Sequence, residues 1–237
     1  YFNDIYDMYN GGMSMDSVID LIIRSSLIRP VCGDLSPEEL EFGNVRNNLC
    51  CSLVNTEANR RLLETIPSVD FLDLSIIFRI VFNQDGESEQ IIVDNNLMSN
   101  WGVTAKDIVR QAAFNTKRMN PVRISSLREA AGLEYPGYDD ECSFEPEILV
   151  VSSSTGILGA IHMLDRSLMD SLCDRLDDDL VIVPSSIHDV IIMPMDIADR
   201  ERVDSVIREV NELVVGTRDY LSDHSYVYLR NSRHVMI

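Results

Sequence analysis

Lysine is nearly missing from this chain. Lys106 and Lys117 are the only two, arginine supplies the other 18 of the 20 bases, and 39 acids stand against them. The net charge of −19 makes a phosphate backbone or an anionic lipid surface a poor direct partner, since both would be repelled over most of the molecule. Acids outnumber bases in both halves, 17 to 10 over residues 1–118 and 22 to 10 over residues 119–237. A basic protein partner or a cationic ligand suits such a surface. Arginine forks onto carboxylates, so some of the 18 are expected to brace acids at packed places.

Other absences narrow the field further. The five cysteines (Cys32, Cys50, Cys51, Cys142 and Cys173) form no CxxC pair and none lies at zinc-ligand spacing from a histidine. Their odd number and the burial habit of cysteine predict free thiols in a reducing cytoplasm. No apolar run approaches the ~18 residues of a membrane helix, and no signal peptide opens the chain. The first residue is Tyr1, with no methionine before it, so an excised piece of a longer chain is expected.

What is there is ordinary globular material, 45% hydrophobic and 25% charged over 237 residues. Helical spacing predicts helices over Ser14–Ile28, Ala105–Thr116 (capped by Thr104), Ser167–Leu176 and Ala198–Val214. In the last of these, Val203, Val206, Ile207, Val210, Leu213 and Val214 are expected to face inward. Ser36-Pro37-Glu38-Glu39 predicts a short helix start, as does Thr56 to Glu64. Strands are expected over Val45–Val54, Phe71–Phe82 with a hairpin return at Gln90–Val93, Ile148–Ser152 paired with Ile157–Met163, Leu180–Val183, Asp189–Met193 and Tyr226–Leu229. Between them, residues 119–146 are broken by Pro121, Gly132, Pro136, Gly137 and Pro146, with one short helix expected at Ser126–Ala131.

Hairpin-linked strands with helices between them predict an α+β fold of two lobes, each with a largely antiparallel sheet and flanking helices. The N-terminal lobe is read as 1–118, a linker or lid as 119–146, and the C-terminal lobe as 147–237, running hairpin, helix, strand pair, helix, strand.

Six phrases together carry a resemblance. They are Tyr6–Met15 (YDMYNGGMSM), Asn55–Phe71 (NTEANRRLLETIPSVDF), Leu72–Ile77 (LDLSII), Asn100–Val103 (NWGV), Val183–Pro194 (VPSSIHDVIIMP) and Val210–Tyr228 (VNELVVGTRDYLSDHSYVY). Their order and spacing resemble an uncharacterised domain-of-unknown-function family common in clostridia-type gut bacteria. The resemblance covers nearly the whole chain, although the family's usual segment before the Tyr6 region is missing. It implies a cytoplasmic bacterial protein and brings no activity, cofactor or catalytic residue with it.

Chemistry-bearing residues are few. Ser185-Ser186-Ile187-His188 holds two parts of a nucleophile–base set, with Asp223 as a distant acid. Residues so close on one loop usually diverge, so the serines are expected to cap the local backbone and His188 to pack at a strand start. Ser152 to Gly159 lacks the lysine of a phosphate loop and a helix to follow it, and reads as a hairpin turn. Asp177-Asp178-Asp179 reads as a solvated acidic turn, and His162 as a half-buried strand histidine. His224 and His234 flank the last strand and are expected at the surface; Trp101 is expected as a core anchor. The leading functional expectation is a cytoplasmic, non-catalytic protein acting through protein contacts, with no cofactor and no metal, its partner presenting a basic surface. The alternatives are a Ser/His hydrolase built on His188 with Ser185 or Ser186, and an acidic nucleic-acid mimic that binds a basic enzyme.

Overall fold

Leu49 to Val54 is apolar or small at every position, and with Asn55 it forms a strand buried along its whole length. The structure, a computed structural model, describes residues 36, 38–84, 87–130, 147–213, 215–216 and 218–237. The helix expected at Ser14–Ile28 and the breaker-rich residues 131–146 lie outside the described residues.

The N-terminal half runs α1 (Phe42–Val45), β1 (Leu49–Asn55), α2 (Arg60–Leu63), β2 (Ser68–Phe71), β3 (Leu74–Gln84), β4 (Glu87–Ile92), α3 (Asn95–Trp101) and α4 (Ala105–Met119). β3 is the long central strand. β1 lies antiparallel along one edge, while β2 and β4 share the other, β2 pairing with Leu74–Ile77 and β4 with Arg79–Gln84. α4 begins where Thr104 and Asp107 close a reciprocal capping box. It packs onto β1 through Ile108 and Ala112, and Thr116 Oγ1 accepts the Cys51 N–H at 2.8 Å. Trp101 anchors α3, donating its indole N–H to the Leu40 carbonyl at 2.7 Å. At Ser36 the expected cap forms, with Glu39 accepting from the Ser36 N–H at 2.8 Å, but it closes a turn instead of starting a helix.

The C-terminal half runs β5 (Val122–Ser126), α5 (Leu127–Ala130), β6 (Leu149–Ser153), α6 (Arg166–Leu176), β7 (Leu180–Pro184), β8 (Val190–Pro194), α7 (Arg200–Leu213), β9 (Tyr226–Leu229) and β10 (His234–Met236). Its six strands form an antiparallel sheet in the order β10-β9-β7-β8-β6-β5. The fold is therefore α+β with two antiparallel sheets. Leu49, Phe78 and Ile108 of the first half share one continuous core with Leu149, Met163, Leu172 and Ile192 of the second.

Two expectations are corrected here. Residues 157–163 are not the return strand of a hairpin: Gly159–Leu164 is a 3-10 helix, and β6 pairs with β5 and β8 instead. Gly159 to Met163 are all buried, so nothing in their pattern separates a strand from a tight helix. Residues 122–126, read as part of a linker, supply the edge strand β5, whereas α5 falls within the short helix expected at Ser126–Ala131.

The three described cysteines are free and buried, and burial pushes the thiols of Cys50, Cys51 and Cys173 up to about 11. A shift from 9.0 to about 11 cuts the thiolate fraction near pH 8 about a hundredfold, before any barrier to access. Maleimide labelling of the native protein is therefore expected to modify these three at least about a hundredfold more slowly than labelling in denaturant. Peptide mapping that finds any of them labelled at the denatured rate overturns their placement.

Candidate functional site

α7 is held by its polar side. Asp199 caps its start, accepting from the Arg202 N–H at 3.2 Å. Asp204 accepts from the N–H and the hydroxyl of Ser225, at 2.8 and 2.7 Å. Asn211 donates to the Ser222 carbonyl at 3.0 Å and to the Asp223 carboxylate at 2.9 Å. These bonds tie the helix to residues 222–225 along one flank. Of the apolar residues expected to face inward, only Ile207 is buried among the described side chains; Val206 and Val210 stay 51% and 43% exposed. The side chains of Leu213 and Val214 lie outside the described residues.

The consequence is an open groove of about 430 Å³ between α7 and the sheet face that points away from the shared core. On β8 the buried Val190 and Ile192 face the core, so the alternate residues Ile191 and Met193 face the groove. Val183 completes the sheet wall, Val203, Val206 and Val210 form the helix wall, and Leu127 and Ile148 also line it. Ser185, Asp199, Arg202 and Asn211 are its polar members. The volume falls within the range of ligand pockets, and the lining is predominantly aliphatic. Along α7, Glu201, Glu209 and Glu212 are exposed, whereas Arg200 and Arg208 reach the carbonyls of Ser225 and Asp223.

The residues singled out in the sequence do not converge. His188 accepts the Leu158 N–H on Nδ1 at 3.2 Å and places Nε2 3.4 Å from Asp219. No hydrogen bond among the described residues joins its ring to Ser185 or Ser186. Ser186 Oγ accepts the His188 backbone N–H at 3.0 Å, a local turn contact, and Ser185 lines the groove. Asp223 is engaged by Asn211, so the acid beside His188 is Asp219. Asp219 also faces Arg79 of β3, whose guanidinium burial pushes down to about 10 against the pull of that carboxylate. Arg79 Nε donates to Ser52 at 2.9 Å.

The Ser152–Gly159 turn bonds to itself. Ser153 Oγ accepts from the Ile157 N–H at 3.1 Å, and Thr155 and Ile157 are held by the side chain of Asn120. His162, buried, donates to the Asn120 carbonyl at 2.9 Å, and burial holds its pKa below the ordinary histidine value. Asp178 and Asp179 cap backbone N–H groups of Asp196 and Arg230, both at 2.7 Å. Among the described residues no three His, Cys, Asp or Glu side chains lie together in a way that could hold a metal ion. Nor is any described helix long and apolar enough to cross a membrane.

One constellation escaped the sequence reading. Asp73, in the β2–β3 turn, accepts from the Tyr226 hydroxyl at 2.8 Å and the Ser222 hydroxyl at 3.1 Å. His224 Nε2 lies 3.2 Å from the same carboxylate, and its Nδ1 lies 3.1 Å from the Ser225 carbonyl. Burial, with the Asp73 charge adding to it, pushes the Tyr226 hydroxyl well above the ordinary tyrosine range. His224, expected at the surface, is half-buried here. The cluster joins the two halves of the chain and presents no nucleophile without a partner.

Neither the curated proteins nor the solved structures include one that matches this chain. A family model matches residues 1–230, and the chain belongs to that family, a family of unknown function (DUF5688).

Proposed function

We propose that this is a non-catalytic binding protein of the bacterial cytoplasm, and that its groove takes a cationic amphipathic helix from a partner protein. The observation that carries the reading is the apolar groove itself, left open because α7 is anchored through its polar flank. Helices dock in such grooves through apolar anchors one turn apart, and a basic residue beside those anchors would meet Asp199, the carboxylate that lines the groove. The net charge of −19 steers a cationic segment inward and slows an anionic one. Buried free thiols at Cys50, Cys51 and Cys173 support a reducing compartment.

The test uses two amphipathic peptides with the same leucine spacing, one with lysines between the leucines and one with glutamates. The lysine peptide is expected to bind and the glutamate peptide to bind at least about tenfold more weakly. Val206→Glu and Val210→Glu together place carboxylates on an exposed wall, where the effect on folding is within about 0.5 kcal/mol each. They make the chain more acidic, so a merely electrostatic attraction would strengthen. Groove binding would instead weaken at least about tenfold. A lysine peptide that does not bind, or that binds the double variant as well as the parent, overturns the proposal.

A further inference from the structure

We infer that the outer face of α4 is a second docking surface, fitted to an acidic segment of a partner protein that carries an apolar residue among its carboxylates. α4 holds both lysines of the chain together with Arg110 and Arg118, against the single acid Asp107. Four bases against one acid in 15 residues reverse the balance of a chain whose net charge is −19. Asp107 is held in the capping box with Thr104, where its exposed carboxylate still feels the charges of Arg110 and Lys106, so the helix carries a surplus of three positive charges, four bases less one acid.

The arrangement on that face is regular. Lys106, Arg110, Phe114 and Lys117 follow each other at intervals of four, four and three residues, so they form one stripe along the helix. All four are exposed, and Phe114, at 68%, is the most exposed large apolar side chain among the described residues. Ile108, Ala112, Asn115 and Thr116 bury the opposite face, so Phe114 has no role in packing α4 onto the sheet. Lys117 and Arg118 in the last turn complement the helix dipole, but Lys106 in the first turn opposes it. The dipole therefore does not account for the stripe. Lys117 also pairs with Asp165 at 2.6 Å, which places Lys106, Arg110 and Phe114 at the centre of the surface.

Charge complementarity selects the occupant. A cationic stripe with an aromatic at its middle fits carboxylates with an apolar residue between them. A nucleic-acid strand has the same sign of charge but carries it over its whole length, and would meet the repulsion of the rest of the chain. A short acidic segment confines its charge to the stripe, within the screening length of about 8 Å at physiological salt.

The probe is a short dye-labelled peptide of alternating Glu and Leu, followed by fluorescence anisotropy at about 0.05 M and about 0.15 M salt. Binding is expected at the lower salt and is expected to weaken at the higher. Arg110→Glu is expected to weaken it at least about tenfold and Phe114→Ser at least about fivefold, with unchanged melting because both side chains are exposed. The groove variant Val206→Glu is expected to bind this peptide as the parent does, which separates this surface from the groove. No binding to the parent, or equal binding to both stripe variants, overturns the inference. Two further outcomes overturn the choice of occupant: a single-stranded oligonucleotide that binds α4 more tightly than the peptide, or a dimer in sedimentation that Phe114→Ser dissolves.

Discussion

Replacing Asp73 with alanine should lower the stability of the protein by about 3–5 kcal/mol, the largest loss expected from truncating a single polar side chain here. The reason is asymmetric. Asp73 is an acceptor shared by Tyr226, Ser222 and His224, and the first two are buried. Removing the acceptor strands two buried hydroxyl donors at about 1–3 kcal/mol each. Removing one donor, as in Tyr226→Phe, leaves Asp73 with its other partners and is expected to cost about 1 kcal/mol. Asp73→Asn keeps one acceptor oxygen and should fall between the two. The neighbouring backbone subtracts from that loss: Leu72 sits at φ 55°, a left-handed conformation that costs a non-glycine residue about 1–2 kcal/mol, and this strain relaxes if the turn loosens. The turn tolerates that conformation because Asp73 is fixed to the other half of the chain. Thermal melting with circular dichroism reads the effect, at roughly 2–4 °C per kcal/mol for a chain of this length. A ranking in which Tyr226→Phe costs more than Asp73→Ala would sink the account.

This clasp shows where sequence reasoning stops. Asp73 lies in Leu72-Asp73, with nothing local to mark it, and its partners are 149 to 153 residues further on. Elements with local causes were legible: the Thr104 cap of α4, the β3–β4 hairpin, and the short apolar strand β8, though not which of its side chains face the core. Elements made by pairing were not. β2 is four residues long with mostly exposed side chains, and β5 follows Pro121 in a breaker-rich stretch; both are strands because β3 and β6 offer them an edge. The groove was half legible. The apolar stripe of α7 is plain in the sequence, but a stripe records only that a helix has an apolar side, and the polar bonds to residues 222–225 decide how much of it is covered. The Ser185–His188 loop had the opposite fault: its residue types suggested chemistry, and the geometry sends each side chain to a different neighbour.

Gly159→Ala should be as damaging as the loss of Asp73, for a reason of space alone. A Cβ on Gly159 would lie 2.4 Å from the His188 carbonyl oxygen, 2.5 Å from the Ser153 nitrogen and 2.6 Å from the Ser152 carbonyl carbon. All three are backbone atoms, so no side chain can swing aside. Relief requires the end of β6 to separate from the 187–188 loop. That breaks the Gly159 N–H bond to His188 O at 2.9 Å and strains the Leu158 N–H bond to the His188 ring. Overpacked cores usually lose about 1–3 kcal/mol, and a clash confined to backbone belongs at or above the top of that range. Two other glycines calibrate the result. Gly156 has open space but φ 74°, so Gly156→Ala should cost about 1–2 kcal/mol through conformation only. Gly43 in α1 has open space and no such constraint, so Gly43→Ala should be neutral or gain up to about 1 kcal/mol. The three melting temperatures should therefore rank Gly43→Ala above Gly156→Ala above Gly159→Ala. Failure of the Gly159 variant to fold satisfies the expectation, while a Gly159→Ala protein that melts with Gly43→Ala would show that β6 and the 187–188 loop do not meet as closely as this structure places them.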